Sequence, residues 1–212
     1  MISAYLTRYA HAMMSLVTLT TPAGSRIAWS TGVDIAANLN HGIANMIGEW
    51  VWIMGDDHNY APDTLLRLLA HDVDVVTPLC LNRGAPYWPL VFRRELDDGA
   101  FEPWPQAEMP LGGLHEVAAG SGAGILIRKH VLDALEPPYF EAGKIRQDQL
   151  GEDLYFFHKV RDKGFKVYVD FDTAIGHITP TALWPVRLTS GRWDIVVDPS
   201  CNLPATGEVE TR

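Results

Sequence analysis

Asp56, Asp57 and His58 follow directly on the apolar run Trp50–Met54 and Gly55. Two carboxylates and an imidazole are potential ligands for a metal ion or partners for a phosphate. A buried strand that ends abruptly in acidic residues places them at the carboxyl edge of a sheet, where open α/β folds bind ligands. Hard oxygen ligands beside a diphosphate suit Mg²⁺ or Mn²⁺, and an imidazole in the set tilts the choice towards Mn²⁺. The bland alternative is a helix N-terminus, where one aspartate favours the dipole. A plain cap needs one carboxylate, however, and two adjacent ones repel. Further along, Glu152-Asp153 opens a helix and His177 follows a strand. Singly, these read as a capping pair and a structural histidine. In order, all three fall at element ends that can converge on one edge of a sheet.

The glycines of Gly120-Ser121-Gly122-Ala123-Gly124 precede a strand, whereas a phosphate loop lies between a strand and a helix N-terminus. No Lys-Ser/Thr ending is present either. The segment therefore reads as close backbone approach to a ligand or to a neighbouring strand. No GxSxG, HExxH or kinase signature occurs.

The elements that must carry these residues alternate. Apolar positions predict a helix over about 8–19, a short strand near 26–30 and a helix over about 33–47, where Ile35, Leu39, Ile43 and Ile47 recur every four residues. A strand at 50–54 and a helix at about 62–70 follow, then a buried strand over 73–79. Residues 81–118 are Pro-, Gly- and Trp-containing with weak periodicity, apart from a strand at 90–93, and read as an irregular excursion that can hold an antiparallel hairpin. Its aromatic residues, Tyr87-Trp88 through Trp104, suit either a ligand-stacking surface or packing onto the core. A strand at 123–127, a short helix near 130–135 and a polar loop over 141–151 come next.

Glu152 and Asp153 open a helix with Leu154, Phe157 and Val160 on its apolar face. Lys159, Arg161 and Lys163 crowd its last turn and Gly164 stops it, the order that the dipole and C-cap geometry prefer. Phe165, Val167, Val169 and Phe171 alternate with polar residues as a half-buried strand. The fold class is α/β with a mixed sheet. The expected organisation is a single domain over 1–190 and a partly disordered C-terminal extension over 191–212.

The 212 residues suffice for one domain with a sizeable core, since 47% are hydrophobic and 20% charged. A formal charge of −9 argues against a general nucleic-acid surface, yet it is compatible with a metal-bridged phosphate. Cys80 and Cys201 lie far apart and outside any CxxC pattern, which fits a reducing compartment. No apolar run reaches the roughly 18 residues of a membrane-spanning helix. A cytoplasmic location is expected.

The stretches WVWIMGDDHNYAPDTLLRLL, GSGAGILIRKHVLDALEPPYF and GEDLYFFHKVRDKGFKVYVDFDTAIGHI resemble the nucleotide-sugar glycosyltransferases of the GT-A fold, in particular the family 2-like group. They cover most of residues 33–180 in that family's order and roughly its spacing. The resemblance implies a Rossmann-like, mainly parallel mixed sheet flanked by helices. Asp57 matches the last acid of the family's DxD motif, which binds the divalent metal on the donor diphosphate. Asp56 takes the middle position, and Gly55 stands where the first acid usually is. His177 matches the late histidine that often completes the metal site. Asp153, with Glu152 before it, matches the pair whose aspartate is the general base in inverting members. Gly120, Ser121 and Gly122 match the turn lining the sugar and acceptor side. Thr7-Arg8-Tyr9 stands as a remnant of the turn that holds the nucleotide base, and the Arg-Asn pair of the second helix appears as Leu39-Asn40.

The implied activity is a metal-dependent transferase using Mn²⁺ or Mg²⁺. It would move a sugar from a nucleotide-diphosphate donor, a UDP-sugar being favoured, to a glycan, protein or other hydroxyl acceptor with inversion. The rival expectations are a GT-A-like domain that binds a nucleotide-sugar or glycan without turnover, and a nucleotidyltransferase. The latter ordinarily needs an early Gly- and basic-rich loop that this chain does not show.

Overall fold

The computed structural model describes residues 2–4, 10–32, 34–84, 87–145, 148–179, 182–187 and 193–198. Strand β1 (Ile2–Ala4) lies between two parallel neighbours, β2 (Trp29–Thr31) and β4 (Met54–Gly55). Helix α1 (Ala10–Val17) follows β1, and α2 (Ile35–Ala44) follows β2, capped by the Asp34 carboxylate accepting from the Ala37 amide. The predicted strand at 50–54 is one extended segment that changes partners. Its first part, β3 (Trp50–Trp52), joins a five-stranded sheet, while β4 joins β1. Between them Ile53 exchanges backbone hydrogen bonds with Gly124 and Ile125.

After the short strand β5 (His58–Asn59), helix α3 (Thr64–Ala70) leads into β6 (Val75–Leu79). The excursion over 81–118 contains the antiparallel pair β7 (Phe92–Glu95) and β8 (Phe101–Pro103), as expected. It also contains β9 (Leu114–Val117), a strand that periodicity does not reveal. Then come β10 (Leu126–Arg128) and α4 (Lys129–Ala134). The loop expected at 141–151 is a tight hairpin of β11 (Gly143–Ile145) and β12 (Asp148–Leu150). Helix α5 (Glu152–Asp162) and strand β13 (Val167–Ala174) match their predictions closely. Gly164 has φ +85°, and the Phe165 amide closes back on the Val160 carbonyl, so glycine supplies the left-handed stop. Two-residue β14 (Gly176–His177) precedes the hairpin of β15 (Ala182–Arg187) and β16 (Trp193–Asp198), in a region without a clear sequence pattern.

The five-stranded sheet has the order β3-β10-β6-β13-β9. Pairing directions make β1, β2, β3, β4, β6 and β13 run one way, with β9 and β10 against them. The expected mixed sheet is thus what forms, with most strands running one way, although in the five-stranded sheet only β6 and β13 are parallel neighbours and the other pairings are antiparallel. Alternate residues feed two cores on opposite faces. Val51, Val75, Ile127, Val167 and Val169 pack with α2, α4 and α5, whereas Trp52, Val76, Leu126 and Tyr168 pack with α1 and α3. Burial on both faces explains why these strands read as continuous apolar runs. It also corrects the half-buried expectation for β13. Asp170 is buried at 3% exposure, held by the His71 Nε2 at 2.9 Å and by the Asp172 amide. Trp104 packs edge-on against Phe171, so it belongs to the core, while Trp88 is exposed.

Asn40 joins α2 to the segment before α5. Its Oδ1 accepts from the Tyr139 and Phe140 amides at 2.8 and 3.0 Å, and its Nδ2 donates to the Phe140 carbonyl at 2.7 Å. Phe140 in turn stacks on Phe156 of α5. Asn40→Ala leaves these backbone groups unpaired at once and should cost about 2 kcal/mol. A lower urea midpoint at unchanged m-value is the expected outcome.

Candidate functional site

Strand β4 ends at Gly55, and the turn Asp56-Asp57 reverses the chain into β5. Strand β14 pairs antiparallel with β5, His177 opposite His58, and the Ile178 amide donates to the Asp57 carbonyl at 2.8 Å. A two-residue ladder thereby brings together the acid and the histidine that lie 120 positions apart in the chain. Gly55 is sterically required here. A Cβ built on it would lie 2.6 Å from His58 Nδ1 and 3.1 Å from Asp57 Oδ1. A side chain at position 55 would therefore displace the pair beside it.

The Asp57 carboxylate is the most contacted group of the site. Its Oδ2 accepts from Arg83 Nη1 at 3.0 Å and lies 3.4 Å from His177 Nε2. Its Oδ1 lies 2.7 Å from His58 Nδ1, although the angle at that nitrogen is not that of a hydrogen bond, so the contact acts through charge and proximity. His177 Nδ1 donates to the Leu81 carbonyl at 2.9 Å, which turns Nε2 towards Asp57. Burial alone would push the Asp57 carboxyl up. The two imidazoles of His177 and His58 outweigh it and hold the group well below the usual carboxylate range. Burial also opposes protonation of His177, yet Asp57, Cys80 and the Leu81 carbonyl raise its pKa to about 10. His58 is raised for the same reason, chiefly by Asp57 against burial. The Cys80 thiol, pushed up by burial, is brought down to about 7 by the two histidines.

A cavity of about 720 Å³ opens on this edge. Asp56, Asp57, His58, Arg83 and His177 line one part of it, and Ser121, Gly122, Glu152 and Asp153 another. Ile35, Asn38, Leu39 and Phe140 add a mostly apolar wall. Asp153 lies in the first turn of α5, where its Oδ1 accepts from its neighbour, the Leu154 amide, at 2.8 Å. Enclosure by protein pushes this carboxyl up, and the Leu154 amide pulls it back only partly. Gly122 gives it room, since a Cβ there would stand 3.0 Å from the Asp153 Cβ.

Of the sequence-predicted residues, Asp56, Asp57, His177, Ser121, Gly122, Glu152 and Asp153 meet in this cavity. Gly120 does not line it. It packs against Thr77 and Val169 of the neighbouring strands, so its missing side chain serves strand approach. Thr7 and Arg8 lie outside the described residues. Sequence reasoning missed Arg83 and Cys80 as neighbours of Asp57. Arg83 sits in the aperiodic segment after β6, and nothing local marks it as facing the site.

The sequence matches the family described as glycosyltransferase like family 2 over residues 27–195. The chain belongs to this family. No curated protein matches it in sequence. Among solved structures, it is similar to A197 from STIV, with TM-score 0.57, 13% identity and coverage of 99% of this chain and 97% of that one. It is also similar to GalNAc-T7, solved with UDP, GalNAc and Mn²⁺, at TM-score 0.55 and 12% identity, covering 84% of this chain and 43% of that one. TarS of S. aureus gives TM-score 0.50 and 14% identity over 84% of this chain and 36% of that one. The chain spans under half the length of the last two of these proteins, and its fold is GT-A. Among the described residues no helix is long and apolar enough to cross a membrane.

The raised His177 has a consequence for stability. Its folded-state pKa lies above the ordinary 6.5, so its pairing contributes fully below about pH 6.5 and is lost as the pH climbs towards 10. Urea unfolding of the metal-free protein should show stability declining across that window. His177→Gln should flatten the decline.

Proposed function

We propose that this chain is a metal-dependent glycosyltransferase that moves a sugar from a nucleotide-diphosphate donor to an acceptor hydroxyl with inversion, Asp153 being the base. The observation that carries this reading is the shared cavity. It holds an acid–imidazole pair at Asp57 and His177 and a carboxylate pushed towards proton affinity at Asp153. The first set fits a divalent ion. A carboxylate oxygen and an imidazole nitrogen 3.4 Å apart have the spacing of two ligands on one ion, roughly 3.0–3.5 Å. When bound, such an ion neutralises the diphosphate that leaves with the nucleotide.

The chain's own residues do the rest. Arg83 is half-exposed at the cavity wall and brings a guanidinium that suits diphosphate oxygens. Asp153 accepts the proton of the attacking acceptor hydroxyl, and its raised pKa makes it a better base than a solvated aspartate. Glu152 beside it, and the Ser121-Gly122 turn, line the sugar and acceptor side. Asp56, next to the metal pair, faces the donor. A glycan, protein or other hydroxyl compound is the acceptor. GalNAc-T7 was solved with UDP, GalNAc and Mn²⁺, which supports a UDP-sugar and Mn²⁺ as the first donor and metal to test.

Nucleotide release is measured across UDP-, GDP- and dTDP-sugars with and without Mn²⁺. Metal-dependent release with one donor is expected, and Asp57→Ala should lose both donor binding and release. Asp153→Asn should keep the donor Kd while kcat falls about 100- to 10,000-fold. Metal-dependent donor binding in calorimetry without release under any acceptor would favour a domain that binds without turnover. No donor binding at all would overturn the reading.

A further inference from the structure

Cys80, one residue past β6, is 1% exposed, and the proposed transfer assigns it no part. Its Sγ makes a weak 3.5 Å contact with the carbonyl of its own neighbour, Leu81. Beside it the rings of His58 and His177 are stacked, with centroids 4.2 Å apart and planes 23° off parallel. One ligand atom from each of Cys80, His58 and His177 lies within 4.8 Å of the other two. His58 is 5% exposed, and its Nδ1 is buried without an aligned hydrogen bond. Buried polar atoms are normally paired, so an unpaired one beside two other metal-ligating groups points to a missing ligand.

We infer that Cys80, His58 and His177 form a second cation site, one that takes a borderline-soft divalent metal of the zinc class. The Asp57 carboxylate, 2.7 Å from His58, is available as the fourth ligand. Thiolate and imidazole select Zn²⁺, whereas Mg²⁺ and Mn²⁺ prefer oxygen. A tetrahedral zinc site spaces its nitrogen and sulfur ligands roughly 3.5 Å apart, so the three groups need to close by only about 1 Å. On binding, Sγ–H and any imidazolium ring of the two histidines lose their protons to solvent as the sulfur–metal and nitrogen–metal bonds form, so the histidines bind as neutral imidazoles. One consequence rests on the transfer reading: the site overlaps the Asp57–His177 pair, and these two residues cannot serve both ions, so Zn²⁺ competes with Mn²⁺. The binding itself does not depend on that reading.

Cobalt(II) is the spectroscopic probe, since Zn²⁺ is silent. Titrating Co²⁺ into the full-length, reduced, metal-free protein should give a one-to-one thiolate-to-cobalt charge-transfer band that Zn²⁺ abolishes. The band should vanish in Cys80→Ser and His58→Ala, each with native circular dichroism, and survive Cys201→Ser. A wild-type spectrum without the band, or one that persists in Cys80→Ser, overturns the site. Should Cys80→Ser fail to fold, alkylation of the wild type followed by mass spectrometry decides. Zn²⁺ must slow labelling of Cys80, and unchanged labelling overturns the site. Mn²⁺-dependent donor binding is measured separately. A missing band with intact donor binding sinks the zinc-class site alone, and a band without donor binding sinks only the transfer reading.

Discussion

One carboxylate organises this edge of the molecule. Asp57 occupies a two-residue turn, and three stretches of chain that are remote in sequence meet on it. Arg83 and Leu81 arrive from the segment after β6, His177 and Ile178 from β14, and His58 from the strand that the turn begins. Each cationic partner stabilises the ionised acid, and the acid in turn holds each partner in place. Remove the charge and three segments lose their common anchor, while a buried turn is left with an unpaired set of donors. Gly55 follows from the same constraint, because the space a side chain would need is already taken by this cluster.

The two functional carboxylates are driven in opposite directions by their surroundings. Asp57 lies among imidazoles and a guanidinium and stays ionised. Asp153 lies at the start of α5 with the Leu154 amide donating to it and Glu152 next to it, so enclosure dominates and its proton affinity rises. Environments that push two acids apart would let one cavity support both the cation binding and the proton acceptance of the proposed transfer. The helix N-terminus works against this rise at Asp153, which makes burial the deciding contribution.

Rigid elements hold both groups. Asp57 stands between β4 and β5, and Asp153 sits on a helix whose Phe156, Phe157 and Val160 are fully buried. Asn40 ties α2 to Phe140, which lines the cavity and stacks on Phe156. The wall of the cavity is therefore continuous with the core beneath α5. Glycines at 120 and 122 serve two different close approaches within three residues: one to the neighbouring strands, the other to the Asp153 side chain.

The parts of this protein that could be read from sequence are those set by neighbours along the chain. Helix α5 announced itself by acid at its start, base at its end and Gly164 beyond, and β13 by alternation. The abrupt passage from Trp50–Met54 to two aspartates marked a sheet edge. These signals act over a few residues, so they survive without any knowledge of the rest. The family resemblance then supplied an order of motifs from which convergence of Asp57, Asp153 and His177 could be expected. Strand β9 and the hairpins β11–β12 and β15–β16 were not legible, because short strands owe their existence to partners more than to their own pattern. Asp170 looked solvent-facing until His71, nearly a hundred residues earlier, was seen to hold it inside. Likewise Arg83 and Cys80 gain their place beside Asp57 only through the tertiary fold. Local periodicity and capping are short-range effects, whereas the contacts of this site arise from strand register between distant segments, and that register exists only once the sheet has closed.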